Sequence, residues 1–140
     1  MTSKNIISSH IQEHKNVLNS IDDNMIKKIE DISEILIKTL SNGNTIFWCG
    51  NGGSAGDSQH LAAELIGKYK ADRRPLKSIA LTTDSSALTC ISNDYSYEKV
   101  FERQIEGLGV NGDTLIGIST SGNSLNIINA LKKCNDIGVK

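Results

Sequence analysis

The chain has 140 residues, 38% of them hydrophobic and 22% charged, which is enough for one globular domain with a sizeable core. Its 15 basic and 16 acidic residues leave a formal net charge of -1, excluding the overall positive field that draws proteins to nucleic acid or to anionic membranes. No stretch approaches membrane-spanning length, and the polar start Met1-Thr2-Ser3-Lys4-Asn5 does not read as a leader, so a cytoplasmic protein is expected.

Ile7, Ile11, Val17, Leu18 and Ile21 recur at roughly helical spacing, and Ile26, Ile29, Ile32, Leu36 and Leu40 form a cleaner stripe that ends at Asn42-Gly43. Two N-terminal helices are predicted. These stripes, at 6–21 and 25–40, exceed what covering a small sheet requires. Residues 1–42 are therefore expected to serve in packing between subunits, with His10 and His14 on the surface of the first helix. Next, Thr45-Ile46-Phe47-Trp48-Cys49 reads as a strand that enters a helix over about 54–69. A strand at 78–82, a short helix at 85–92 capped by Thr83 or Asp84, a helix at 97–107, a strand at 113–118 and a helix at 124–136 follow. That alternation predicts an α/β fold with a parallel sheet, its α/β part occupying 43–140 of a single domain. Cys49, Cys90 and Cys134 form no CxxC or zinc spacing and read as buried thiols of a reducing compartment.

Two loops share one design. The first strand runs into Gly50-Asn51-Gly52-Gly53-Ser54, and the strand Leu115-Ile116-Gly117-Ile118 runs into Ser119-Thr120-Ser121-Gly122-Asn123-Ser124. Each then opens a helix. Backbone N–H groups at a helix N-terminus carry partial positive charge, and glycine lets a ligand approach the backbone, so both loops suit a phosphate without any Lys or Arg. In a parallel sheet they lie outside the carboxyl ends of the strands and should share one cleft. A phosphorylated small molecule is the expected ligand.

The helix after the first loop carries His60 and Glu64, four residues apart and so on one face. By themselves they read as a solvated ion pair sooner than as half of a zinc site, since structural sites need four ligands and catalytic ones usually three, and it is their place one turn beyond the Gly50–Ser54 loop that favours a functional role. A carboxylate beside a bound sugar phosphate can also serve as general acid or base, as an aldose–ketose isomerase requires to move a proton between adjacent carbons through an enediol. Asn93-Asp94 closes the short helix as a turn pair that could reach sugar hydroxyls, and Lys68, Lys70, Arg73 and Arg74 form a small basic run before Pro75. Gly50-x-Gly52-x-x-Ala55 also fits the loose dinucleotide fingerprint, but the acidic residue expected about twenty positions on is missing, because Asp72 lies in a polar loop and Asp84 is too distant.

The run Cys49-Gly-Asn-Gly-Gly-Ser-Ala-Gly-Asp-Ser-Gln-His60-Leu-Ala-Ala-Glu64, with Ile79-Ala-Leu-Thr-Thr-Asp84, Ser92-Asn93-Asp94 and Gly117-Ile-Ser-Thr-Ser-Gly-Asn-Ser124, resembles the sugar isomerase (SIS) family and its phosphoheptose isomerase branch. The resemblance implies a three-layer αβα sandwich, a cytoplasmic homotetramer with active sites between subunits, and conversion of sedoheptulose 7-phosphate to D-glycero-D-manno-heptose 7-phosphate for bacterial lipopolysaccharide or capsule. It also implies substrate contacts at Asn51, Gly52, Gly53, Asn93 and Asp94, a phosphate grip at Ser119, Thr120, Ser121 and Ser124, and zinc ligation by His60 and Glu64. Glu64 is implied as the catalytic carboxylate too. The family continues past the position of Lys140 with a strand and a closing helix that carry a Gln and a His for the metal site and a second acid/base. This chain is thus expected to be truncated, incomplete at its site and reduced in stability. Other members of the family bind partner proteins without catalysis, and a regulator of that type, or a sugar-phosphate sensor, is the alternative; Glu64 favours the enzyme.

Overall fold

The computed structural model describes residues 2–140. Six α-helices, one 3-10 turn and three strands follow one another in the expected order. By internal packing the chain divides into two compact units, one ending at Ile35 and the other running from Leu36 to Lys140, with the boundary inside the second helix.

The first unit holds α1 (Ser3–Asn19) and the greater part of α2 (Asp23–Ser41). Thr2 accepts a hydrogen bond from the Asn5 amide, and Asp22 Oδ1 accepts from the Met25 amide at 2.8 Å, so each helix starts on a side-chain cap. α1 buries no residue. Ile7, Ile11, Val17, Leu18, Ile26 and Ile29 are each more than half exposed. His10 and His14, also exposed, bond within their own helix, to Glu13 and to the His10 carbonyl.

The second unit is built on a parallel sheet in the order β2-β1-β3, comprising β1 (Ile46–Gly50), β2 (Ser78–Ala80) and β3 (Thr114–Ile118). Successive side chains leave a strand on opposite faces. Phe47, Cys49 and Leu115 enter a core with Val100, Phe101 and Ile105 of α5 (Val100–Leu108) and Ile127, Ala130 and Cys134 of α6 (Leu125–Ile137). Ile46 and Trp48 pack on the other face with Ala80, with Ala62 of α3 (Gly53–Ile66) and with Leu36 and Leu40 of α2. Helices thus cover both faces, which makes the three-layer sandwich and explains why every residue of β1 is buried and none is charged.

Three boundaries differ from the sequence reading. α3 ends at Ile66 rather than near residue 69, because Gly67 turns out of the helix and Arg73 reaches back to donate to the carbonyls of Glu64 at 2.7 Å and Leu65 at 2.8 Å. Part of the expected basic run is therefore a helix C-cap. β2 stops at Ala80, and Asp84 caps α4 (Ser85–Asp94) by accepting from the Ala87 amide at 2.9 Å. The third difference is a 3-10 turn, Tyr97–Lys99, that precedes α5.

Asp113, only 2% exposed, joins three segments. Its carboxylate accepts from the amides of Thr45 at 2.8 Å and Val110 at 2.9 Å and from Asn44 Nδ2 at 3.2 Å, tying the entries of β1 and β3 together. Replacement by Ala would take the charged partner from the Thr45 and Val110 amides and from the Asn44 side chain, and a hydrogen bond to a charged group contributes about 1.5–3 kcal/mol. Asp113→Ala is thus expected to lower the unfolding free energy by about 3 kcal/mol, readable in a urea titration with unchanged m-value.

Cys49 and Cys134 are buried as expected, but Cys90 is not. It lies on the outer face of α4, where its thiol donates to Asp94 Oδ2 at 3.3 Å. Burial pushes Cys49 up to about 12 and Cys134 up to about 11. A thiol whose folded value is raised adds stability below the unfolded value and loses it as pH climbs toward the folded one. Stability is therefore expected to decline above about pH 9. At pH 8 a thiol reagent should modify one cysteine of the folded protein and three in denaturant; fast reaction of a second would mean that the sheet's interior opens.

Candidate functional site

Gly50 is paired in register with Ile118, so the two loops leave adjacent parallel strands side by side. This register is what a common cleft between them requires.

The first loop turns tightly. Ser54 donates its amide to the Asn51 carbonyl, and Ala55 to that of Gly52, both at 3.0 Å. Gly52 has φ +56, a left-handed conformation that side chains rarely adopt, and is the N-terminal flank of α3. No side chain caps this helix. A methyl group built at Gly52 or Gly53 would meet nothing within 4 Å, so open space lies over the first amides of α3. The Ser54, Ala55 and Gly56 amides are taken by the Asn51 and Gly52 carbonyls, which leaves the Gly52 and Gly53 amides as the ones that could meet an anion.

The second loop gathers hydroxyls. Ser119 Oγ lies 3.2 Å from Ser124 Oγ and 3.4 Å from Ser121 Oγ, and it accepts the Gly122 amide at 3.1 Å. Ser124 flanks α6 at its N-terminus, yet its side chain makes no cap bond and turns toward Ser119 instead. Thr120 is exposed on the same loop. Neither loop carries a cation, so anion binding here falls to amides and hydroxyls.

His60 and Glu64 share one face of α3, with His60 Nε2 3.9 Å from Glu64 Oε1; their side chains are 74% and 36% exposed. Both could touch a single metal ion. However, no group of three His, Cys, Asp or Glu gathers among the described residues. By donor number, then, the pair alone does not fit a zinc site.

Asn93 and Asp94 stand at the exposed C-terminal end of α4, where Asn93 Nδ2 donates to Asp94 Oδ1 at 2.8 Å. That bond, with the Cys90 thiol, holds the Asp94 carboxyl below its ordinary range and keeps it anionic. The side-chain bonds of this turn are local.

Two residues that the sequence reading passed over connect the parts. Asn126, 3% exposed at the start of α6, exchanges two side-chain hydrogen bonds with Asn51, and the Tyr97 hydroxyl donates to Asn51 Oδ1 at 3.0 Å. One signal was present: Asn126 is an amide set among apolar residues, in Leu125-Asn126-Ile127-Ile128. For Tyr97 no signal exists, since the partner lies 46 positions away.

The sequence profile of the SIS domain matches residues 9–140. The phosphoheptose isomerase of Aliarcobacter butzleri (strain RM4018) is 55% identical over 137 residues, covering 98% of this chain and 72% of that protein. That of Helicobacter pylori (strain Shi470) is 50% identical over 135 residues, covering 96% and 70%. Among solved structures, the phosphoheptose isomerase of Neisseria gonorrhoeae superposes with a TM-score of 0.91 at 40% identity, over 99% of this chain and 72% of that one. The enzyme of Francisella tularensis gives 0.89 at 33%, over 100% and 73%.

Proposed function

From the premise that this chain belongs to the SIS domain family and, within it, to the phosphoheptose isomerases, we propose that it converts sedoheptulose 7-phosphate to D-glycero-D-manno-heptose 7-phosphate. One observation carries the reading. Two cation-free loops leave adjacent strand ends, as a shared anion cradle would require, and the helix that opens from one of them bears a carboxylate, Glu64. Cradle and carboxylate together are what proton transfer on a phosphorylated sugar requires.

Ser119, Thr120, Ser121 and Ser124 hold the phosphate in this reading, while Gly52, Gly53, Asn93 and Asp94 receive the sugar together with the backbone of Asn51, whose side chain is bonded to Asn126 and Tyr97. Glu64 removes the proton from C1 of the ketose while the C2 oxygen takes up a proton from water, an enediol forms, and the proton returns at C2 as the C1 hydroxyl releases its own to water, leaving the aldose. Fixing the phosphate end places C1 and C2 against the carboxylate, which converts an encounter into an oriented reaction. Zinc, when bound, would take His60 and Glu64 as two of its ligands, completed by donors beyond these two, and would polarise the substrate oxygens. The setting is a bacterial cytoplasm, supplying heptose for lipopolysaccharide or capsule. Among the described residues no helix is long and apolar enough to cross a membrane.

The homotetramer belongs to the same reading, and the exposed isoleucines of α1 and α2 support subunit packing, because apolar side chains repeated along exposed helices are a common mark of an interface. Light scattering at micromolar concentration should give four times the chain mass, and a monomeric mass would remove the tetramer. The direct test of function is conversion of sedoheptulose 7-phosphate with zinc supplied. Turnover of this sugar phosphate carries the reading. Saturable binding without turnover would make the chain a sensor, and absence of both would refute the assignment.

A further inference from the structure

Three of the four hydrogen-bonding positions of the Asn51 side chain are taken within the protein. Its Oδ1 accepts from the Tyr97 hydroxyl at 3.0 Å and from Asn126 Nδ2 at 2.8 Å, and its Nδ2 donates to Asn126 Oδ1 at 3.0 Å. The Ile127 amide also donates to Asn126 Oδ1, at 3.0 Å, which fixes the orientation of that amide and, through it, the orientation of Asn51. Three separate segments meet here: the first loop, the helix that leaves the second loop, and the turn that follows Asn93-Asp94. An amide so bonded cannot turn to a ligand without breaking internal hydrogen bonds. What it can do is hold the backbone on either side of it, and the next two residues are Gly52 and Gly53, above which the space is open.

We infer that Asn126 and Tyr97 are positioning residues of the sugar-phosphate site: by clamping Asn51 they hold the Gly52-Gly53 amides at a fixed distance from the Ser119–Ser124 loop. The inference rests on the isomerase reading of the same cleft. Neither residue touches substrate in this account; both act through Asn51. Burial alone does not explain them. Tyr97 is 56% exposed, and an apolar residue at 126 would fit its neighbours without a buried amide to satisfy. A cleft held open in advance loses less entropy when a small ligand binds.

The test uses Tyr97→Phe, which removes one hydroxyl from an exposed ring, beside Asn126→Ala, which removes the buried amide and could unfold the chain. Two readouts are taken: amide hydrogen exchange of residues 51–54 without ligand, and the dissociation constant for sedoheptulose 7-phosphate. Tyr97→Phe should speed exchange in the loop about fivefold and weaken binding about three- to tenfold, with the melting temperature unchanged. In an Asn51→Ala background the same substitution should change neither, because the clamped group is gone. Unchanged exchange and affinity in Tyr97→Phe, with a wild type that binds the sugar phosphate, would overturn the positioning role alone. An equal loss of affinity in the Asn51→Ala background would overturn it as well, since Tyr97 would then act by another route. A wild type with no affinity for sedoheptulose 7-phosphate would overturn the isomerase reading, and faster loop exchange in the variant would then mark the clamp as a structural brace only.

Discussion

Glu64→Gln is expected to lower turnover of sedoheptulose 7-phosphate by about 10²-fold or more while leaving the fold intact. Gln keeps the shape of the side chain and loses the ability to accept a proton, so the change removes one chemical step and little packing. The native contact that it alters is weak. His60 and Glu64 are 3.9 Å apart with His60 largely in solvent, and exposed pairs of this kind contribute about 0–1 kcal/mol. Binding of the phosphate end should persist, because the Ser119–Ser124 hydroxyls and the amides at the start of α3 are separate from the carboxylate. The loss should therefore fall on kcat rather than on KM. If KM rises and kcat holds, Glu64 contributes to holding the substrate and the proton moves elsewhere. His60→Ala, measured alongside, tests the other member of the pair: turnover that survives it assigns the proton transfer to Glu64 without the imidazole.

Local pattern carried most of the fold. β1 was legible because five consecutive residues without charge, bounded by Asn44 and Gly50, suit only a strand buried on both faces, and the structure buries all five positions Ile46–Gly50. Both loops were legible for a similar reason: glycine and hydroxyl clusters between a strand and a helix have few other uses. What escaped was decided by distant partners. The end of α3 is set by Arg73, whose guanidinium replaces the helix's missing donors, and no spacing rule anticipates a side chain from nine residues away. Asp113 reads only as the first residue of the strand at 113–118, yet its carboxylate binds the entries of two strands. Cys90 was expected inside with the other thiols because cysteine is usually buried; the short helix α4 in fact buries none of its residues. The Asn51–Asn126 pair spans 75 positions and becomes visible only when the parallel register sets the two loops together.

Gly50→Ala and Gly53→Ala should have opposite effects on stability and the same effect on ligand. A methyl group at Gly50 would lie 2.5 Å from the Ser54 carbonyl oxygen and 2.7 Å from its carbon, both backbone atoms of the first turn of α3. No rotamer relieves that clash. The start of the helix must move away from β1, at an expected cost of about 1–3 kcal/mol, comparable with overpacking a core. That movement would also displace the Gly52-Gly53 amides from the cleft, so affinity for the sugar phosphate should fall at least about tenfold. At Gly53 the same methyl meets no protein atom within 4 Å. The folded chain has room for it, and alanine restricts the unfolded chain more than glycine does, so stability should hold or rise by a few tenths of a kcal/mol, at most about 1. The methyl would instead occupy the space over the first amides of α3. If an anion or sugar oxygen sits there, Gly53→Ala binds sedoheptulose 7-phosphate at least about tenfold more weakly with an unchanged or higher melting temperature. Retained affinity in Gly53→Ala would place the ligand away from this loop and leave the second loop as the whole of the anion site. Loss in both variants, with destabilisation in Gly50→Ala alone, would show that the first loop's glycines have two duties: Gly50 allows helix and strand to approach, and Gly53 keeps the cradle open.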